Sequence, residues 1–140
     1  MEIRDKIAIV TGGASGIGTA LAERFATEGA RGVVVADINL AQAEAVAKSI
    51  NAKGGERAMA FRCDVSVEAD IQALVAVTRA RFGRIDIYMS NAGIIGERGG
   101  IEIYDPLWDK MWQIHGMAHV WAARAVVPEM VARGEGYFVV

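Results

Sequence analysis

Two short segments of the chain are apolar without interruption, Ile7-Ala8-Ile9-Val10 and Val33-Val34-Val35. A strand with one wet face alternates apolar and polar residues, so unbroken runs predict strands covered on both faces, as in a parallel sheet. Strands are predicted at Ile7–Thr11, Gly32–Asp37, Ala58–Asp64, Ile85–Asn91 and Tyr137–Val140. Helical periods separate them. Ile17, Leu21 and Phe25 recur every four residues; Leu40, Ala43, Val46, Ala47 and Ile50 share one face of a second helix, and Ile71, Leu74, Val75, Thr78 and Phe82 share one face of a third. Asn39 and Ser66 are predicted N-caps, Asp105 caps a helix with Pro106 in its first turn, and Gly29, Gly54, Gly83 and Gly134 stand where helices stop. The alternation predicts an α/β fold, a doubly wound parallel sheet between two helical layers. The long irregular stretch is Ala92–Tyr104, with Gly93, Gly96, Gly99 and Gly100.

Composition narrows the class. With 140 residues, 53% hydrophobic and 23% charged, the chain is long and apolar enough for one domain with its own core. Fifteen Lys and Arg against 17 Asp and Glu give a net charge of -2, which supplies no basic field for nucleic acid and no polybasic membrane anchor. Cys63 is the single cysteine, so no intrachain disulfide forms. Residues Met1–Lys6 carry charge where a signal peptide is apolar, and Met117–Val131 is broken by His119, Arg124, Pro128 and Glu129. A cytoplasmic globular domain is the expectation.

The chemistry begins at Thr11-Gly12-Gly13-Ala14-Ser15-Gly16-Ile17-Gly18, between the first strand and the first helix. A phosphate reaching a helix N-terminus needs exposed N–H groups and no obstructing Cβ. Gly12 and Gly16 are assigned the turn and the close approach, and Gly18 tight packing of the helix on the sheet. Asp37 ends the second strand, where a carboxylate accepts from both hydroxyls of an adenosine ribose; the plainer role is a cap on the loop before Asn39. A 2′-phosphate there meets like charge, at a cost of roughly 1–4 kcal/mol at ~4 Å. The positions that would hold a compensating base are Ser15 and Ile38. NAD is therefore expected over NADP. Asp64-Val65, ending the third strand, suits the amino group and face of an adenine, although Asp64 equally suits a loop cap. Asn91-Ala92-Gly93, ending the fourth, offers small residues for close contact with a cofactor ribose and an amide able to tie neighbouring strands.

Taken together, Thr11-Gly12-xxx-Gly16-x-Gly18, Asp37, Asp64-Val65, and Asn91-Ala92-Gly93 preceded by Asp86, with a long fourth helix opening near Trp108, resemble the short-chain dehydrogenase/reductase family over essentially the whole chain. The resemblance implies a Rossmann-type sheet of order 3-2-1-4-5 and hydride transfer between a nicotinamide cofactor and an alcohol or ketone. Ser90 stands where the family pattern has the first Asn of Asn-Asn-Ala-Gly, and His115 stands at the position of the Asn that supports the family's proton relay. The resemblance makes His115 the candidate catalytic position carried by this chain, although an imidazole has one ring nitrogen for each task and a different reach from the amide.

The family's catalytic Ser and Tyr-x-x-x-Lys follow the fifth strand, and the 140 residues end within that strand. Four positions before Lys6, Lys48, Lys53 and Lys110 stand Glu2, Glu44, Ser49 and Pro106, none of them Tyr. Residues 1–140 are thus expected to form a single NAD(P)-binding Rossmann domain, truncated before the catalytic segment and inactive alone, with the family's C-terminal strands absent. The alternatives are a non-catalytic NAD-binding sensor or regulatory protein and an inactive truncated product.

His115 and His119, four apart, match a metal-ligand spacing but lack the Glu after His115 that a zinc-protease helix carries, so no metal is assigned. Cys63 reads as a small buried residue rather than a nucleophile. Trp108, Trp112, Trp121, Met111 and Met117 crowd one helix; core packing is expected to absorb most of them, the surplus meeting another subunit. With Tyr137–Val140 as an open sheet edge, a homo-oligomer is expected. The loop Ile94–Tyr104 borders a substrate in this reading but names none.

Overall fold

A computed structural model describes residues 2–95 and 104–140. Five parallel strands, β1 (Ile7–Thr11), β2 (Gly32–Asp37), β3 (Ala58–Arg62), β4 (Ile87–Met89) and β5 (Tyr137–Val139), lie in the order β3-β2-β1-β4-β5. Helices α1 (Gly16–Thr27), α2 (Leu40–Gly54) and α3 (Glu68–Phe82) connect the first four strands. Before β5, α4 (Asp105–Trp112), a π turn (Gln113–Met117) and α5 (Ala118–Arg133) follow one another without a break.

The unbroken apolar runs are buried on both sides, as predicted. Alternation along each strand divides them. Ala8, Val10, Val33 and Val35 pack with Ala22 and Phe25 of α1 and Ala43, Ala47 and Ile50 of α2. Ile9, Val34 and Tyr88 pack on the other face with Leu74 and Val75 of α3 and Ala122, Val126 and Met130 of α5. The chain therefore has two cores, one for each helical layer.

Several local expectations are corrected. Ile17 is 74% exposed, and the buried stripe of α1 is Gly18, Ala22 and Phe25. Leu40 likewise lies outside the buried face of α2. Asn39 caps α2 by accepting from the Gln42 N–H, but Val67, not Ser66, precedes α3, because Ser66 turns back to Asp64. Tyr104, not Asp105, occupies the N-cap position of α4, without a side-chain cap. Gly54 is the last residue of α2, with Gly55 (φ +84°) beyond it, and Gly83 and Gly134 end α3 and α5, all where helices were predicted to stop. The tryptophans depart most. Trp108 and Trp112 are 53% and 65% exposed, and Trp121 is the one packed against the core. Gly96, Gly99, Gly100 and the rest of 96–103 lie outside the described residues.

β3 and β4 are shorter than predicted because side chains take over from the strand backbones. Asp64 N–H donates to the Asp70 carboxylate (2.9 Å), turning the chain out of β3. At the start of β4 the buried Asp86 carboxylate accepts from Ile7 N–H (2.9 Å), and at its end Asn91 N–H donates to the Thr11 hydroxyl (3.0 Å). Asp86 is also paired with the Arg84 guanidinium, with Arg133 at 3.8 Å. This anchors β4 to β1 at the end of the sheet away from the glycine turn.

Candidate functional site

The strand order reverses between β1 and β4, so the loops after these strands part and leave a crevice at the carboxyl ends of the sheet. A cleft of about 720 Å³ opens there. Gly12, Ser15, Gly16, Ile17, Gly18, Asp37, Ile38, Asp64, Val65, Asn91, Ala92 and Gly93, all twelve candidate cofactor residues, line it. Cys63, Ile94, Ile95, Lys110 and Ile114 join them. Lys110 and Ile114 carry no sequence signal for this place, because a spacing of four on a helix marks no particular chemistry; only the packing of that helix over the strand ends brings them to the cleft.

The glycine turn divides its tasks sharply. Gly12 (φ +65°) and Gly16 (φ +52°) take backbone conformations that an L side chain rarely adopts. A Cβ on Gly12 would stand 2.8 Å from the Ala92 Cα, whereas one on Gly16 would meet nothing within 4 Å. Gly16 thus faces open space at the start of α1, where the first-turn N–H groups lack intrahelical partners. Gly18 allows the tight packing predicted for it, at the sheet's end. Its missing Cβ makes room for the Gly12 carbonyl and for Asn91 Nδ2 (2.9 Å), so α1 is seated on the turn itself and on the end of β4.

Asp37 fills the plainer of its two roles, the loop cap, and adds a contact to the glycine turn. Oδ1 accepts from Asn39 N–H (3.0 Å), the loop cap, and Oδ2 accepts from Ala14 N–H (3.1 Å), which fastens the glycine turn to the end of β2. Each oxygen keeps further acceptor capacity toward the cleft. Ile38 beside it is 57% exposed. Asp64 caps its loop through Oδ1, which accepts from the Ser66 N–H (3.0 Å) and hydroxyl (2.6 Å). Asn91 ties the strands, donating from Nδ2 to the Thr11 carbonyl (2.9 Å). The Thr11 hydroxyl also accepts from Ala92 N–H (3.2 Å) and donates to the Met89 carbonyl (3.2 Å). Burial pushes the Cys63 thiol up to about 12, with the Asp70 and Asp64 charges adding to it, which leaves a protonated, inert side chain at neutral pH.

His115 does not line the cleft but holds a residue that does. Its Nε2 lies 2.9 Å from the Ile94 carbonyl and 3.3 Å from the Ile94 N–H. One turn on, His119 Nδ1 is 2.7 Å from the buried Ser90 hydroxyl. Burial, and secondly the charge of His115, hold the His119 imidazole below its ordinary 6.5.

The arrangement fits a dinucleotide. It offers an open helix N-terminus for a pyrophosphate, a carboxylate at the neighbouring strand end for a ribose, and an apolar crevice for rings.

Comparison with known proteins agrees. The family model described as short chain dehydrogenase matches residues 6–140. The chain is 38% identical over 135 residues to a 2,5-dichloro-2,5-cyclohexadiene-1,4-diol dehydrogenase of Sphingobium indicum, covering 96% of this chain and 53% of that one. It is 38% identical over 136 residues to a D-threitol dehydrogenase of Mycolicibacterium smegmatis, covering 96% and 51%. A crystal structure of a metagenomic short-chain oxidoreductase in complex with NADP superposes with a TM-score of 0.90 at 32% identity, over 99% of this chain and 61% of that one. The chain spans about half the length of the curated relatives it matches.

Proposed function

Because this chain belongs to the short chain dehydrogenase family, we propose that it supplies the cofactor-binding half of an NAD-dependent oxidoreductase acting on an alcohol or ketone. The observation that carries this reading is the convergence of twelve candidate residues from four strand ends on one cleft. Gly12, Ser15, Gly16, Ile17 and Gly18 would hold the pyrophosphate, Asp37 and Ile38 the adenosine ribose, Asp64 and Val65 the adenine, and Asn91, Ala92 and Gly93 the second ribose. A bound nicotinamide supplies the hydride acceptor or donor.

Asp37 sets the choice between cofactors. Its carboxylate is fixed by two backbone N–H groups, and neither Ser15 nor Ile38 brings a positive charge to neutralise a 2′-phosphate. NAD is the fitting partner, although the similar metagenomic enzyme was crystallised with NADP. The carbinol proton needs a carrier, and no Lys of the 140 residues has a Tyr four positions before it. That carrier is proposed to come from polypeptide outside residues 1–140. His115 serves the family's Asn position from beside the cleft, through Ile94.

The cleft by itself equally fits a second reading, a nucleotide-binding sensor or regulatory protein without turnover. In either case a cytoplasmic setting suits a chain in which, among the described residues, no helix is long and apolar enough to cross a membrane. Fluorescence titration of the purified 140-residue chain with NADH and NADPH tests the site. Saturable binding, tighter for NADH, is expected; no binding of either, or tighter NADPH, overturns the assignment. A screen of alcohols and ketones with NAD then separates the readings. Turnover by the chain alone would refute the need for an external proton carrier, whereas a longer natural polypeptide with turnover would exclude the sensor.

A further inference from the structure

The two outer strands of the sheet end differently. The ladder of β3 with β2 fixes which of its peptide groups face outward. Val33 N–H donates to the Arg57 carbonyl (2.9 Å) and Cys63 N–H to the Asp37 carbonyl (2.9 Å), with Val33 opposite Ala58 and Asp37 opposite Arg62. Along a parallel strand, successive residues turn both backbone groups to alternate sides. Arg57, Met59, Phe61 and Cys63 therefore face β2, while Ala58, Ala60, Arg62 and Asp64 turn their N–H and C=O groups away from the sheet.

A row of outward groups is a template for another extended chain. In β3 both ends of the row are taken by side chains from the flanking helices. Asn51, in the last turn of α2, covers Ala58. Its Oδ1 accepts from the Ala58 N–H (2.7 Å) and the Arg57 N–H (3.0 Å), and its Nδ2 donates to the Ala58 carbonyl (2.9 Å). A carboxamide carries the acceptor and donor of a peptide, so this side chain does at Ala58 what a neighbouring strand would do. At the other end Asp70, in the first turn of α3, accepts from the Asp64 N–H (2.9 Å), and the same oxygen lies 3.5 Å from the Arg62 guanidinium. Ala60 and Arg62 remain, and among the described residues nothing bonds to their outward groups. β5, the other edge, has no such cover. Tyr137 N–H donates to the Asp86 carbonyl (2.8 Å) and Ser90 N–H to the Val139 carbonyl (2.8 Å), so Gly136, Phe138 and Val140 face outward, and among the described residues no side chain bonds to their backbone.

We propose that Asn51 and Asp70 close the β3 edge to strand addition, so that a second copy of this chain finds no template there. An added strand needs a run of outward groups, and what stays open is Ala60 and Arg62, the latter carrying a charged side chain that resists pairing. The turn between α2 and β3 makes the closure possible. Gly55 (φ +84°) folds the chain back beside α2, and Arg57 Nε donates to the Gly54 carbonyl (2.9 Å), fixing the turn. Aspartate at position 51 would accept without donating, and glutamine would reach one methylene further, so asparagine suits both contacts with Ala58.

The closure does not depend on the nucleotide reading and is tested on the 140-residue chain without ligand. In amide hydrogen exchange, the outward Ala58 N–H should exchange at least about tenfold more slowly than the outward Ala60 and Arg62 N–H groups, intrinsic rates allowed for. Asn51→Ala should speed Ala58 about tenfold relative to Met59, whose N–H faces β2 and registers any general loss of stability. In light scattering over a dilution series, the same variant should associate at about tenfold lower concentration than the parent chain. Adding Ala60→Pro removes an outward N–H that the β2 ladder does not use, and should return association to the parent level. Equal exchange of Ala58 and Ala60 overturns the closure. So does an Asn51→Ala chain that associates no more readily than the parent. Extra association that survives Ala60→Pro also overturns it, since the new contact would then lie elsewhere. Should Asn51→Ala fail to fold, the exchange rates of the parent chain decide alone.

Discussion

The Asp37 carboxylate accepts a hydrogen bond from the Ala14 N–H at 3.1 Å, joining the end of β2 to the middle of the glycine turn. The group that selects a cofactor thus also shapes the loop that binds it. Asp37→Ala is expected to cost about 1–2 kcal/mol of stability through the lost backbone contacts, leaving the fold intact. The same change should narrow the preference for NADH over NADPH about tenfold or more. Denaturant unfolding and parallel titrations with both cofactors measure the two effects separately. A fully retained preference would mean that discrimination lies elsewhere.

Gly18 has no room for a side chain, whereas Gly16 has space but a left-handed backbone. Gly18→Ala should displace α1 from the turn and from Asn91, costing about 2–3 kcal/mol by overpacking together with much of the nucleotide affinity. Gly16→Ala should cost about 1–2 kcal/mol, the penalty of a left-handed non-glycine residue. Urea midpoints of the two variants check the order.

Asp86 is the buried ion of the sheet, bonded to Ile7 N–H and paired with Arg84. Asp86→Ala leaves that N–H without its acceptor and removes the buried carboxylate from the half-buried Arg84 and Arg133, Arg84 keeping the exposed Glu135 at 3.4 Å. A loss of about 3–5 kcal/mol is expected, with nucleotide affinity unchanged in whatever fraction stays folded, because the site lies at the opposite end of the strands. Thermal melts with and without NADH give both numbers.

His119 carries a pH signature in stability. Burial holds its folded-state proton affinity below the ordinary 6.5, so the unfolded chain binds more protons in that range and stability rises with pH. Its contribution is fully present above the unfolded value and falls away as the pH drops through it toward the folded one. Urea midpoints should therefore decline on acidification from about pH 7.5 to 5.5, and His119→Asn should flatten that decline. A parent chain equally stable at both ends would contradict the burial effect.

Among the described residues β5 pairs with β4 alone, and Tyr137, Val139 and Val140 are 43%, 41% and 76% exposed. With Trp108 and Trp112 also in solvent, the 140-residue chain is expected to self-associate as dimers or larger species. Light scattering over a dilution series decides; a monomer persisting at tens of micromolar, roughly the range where exposed edges aggregate, would show that these surfaces do not pair.

Sequence alone determined the elements whose evidence is local. The unbroken runs at Ile7–Val10 and Val33–Val35 require cover on both faces, since water on either side would strand so many apolar groups. Thr11–Gly18, Asp37, Asp64 and Asn91 could be placed at strand ends because spacing along a β-α-β chain fixes which end of the sheet each residue reaches. What tertiary structure decided is everything that depends on a partner distant in the chain. Gly18 reads locally as a helix glycine, and only the approach of the Gly12 carbonyl and Asn91 shows what it must not touch. Asp86 gives no sign in sequence that its carboxylate will replace a strand carbonyl for Ile7, 79 residues away. The stretch from Asp105 to Arg133 keeps a helical composition throughout, so the π turn at Gln113–Met117 and the two histidine contacts arise only when the rod packs over β4. Hydrophobic period records which face is buried; hydrogen-bond partners are chosen by the fold.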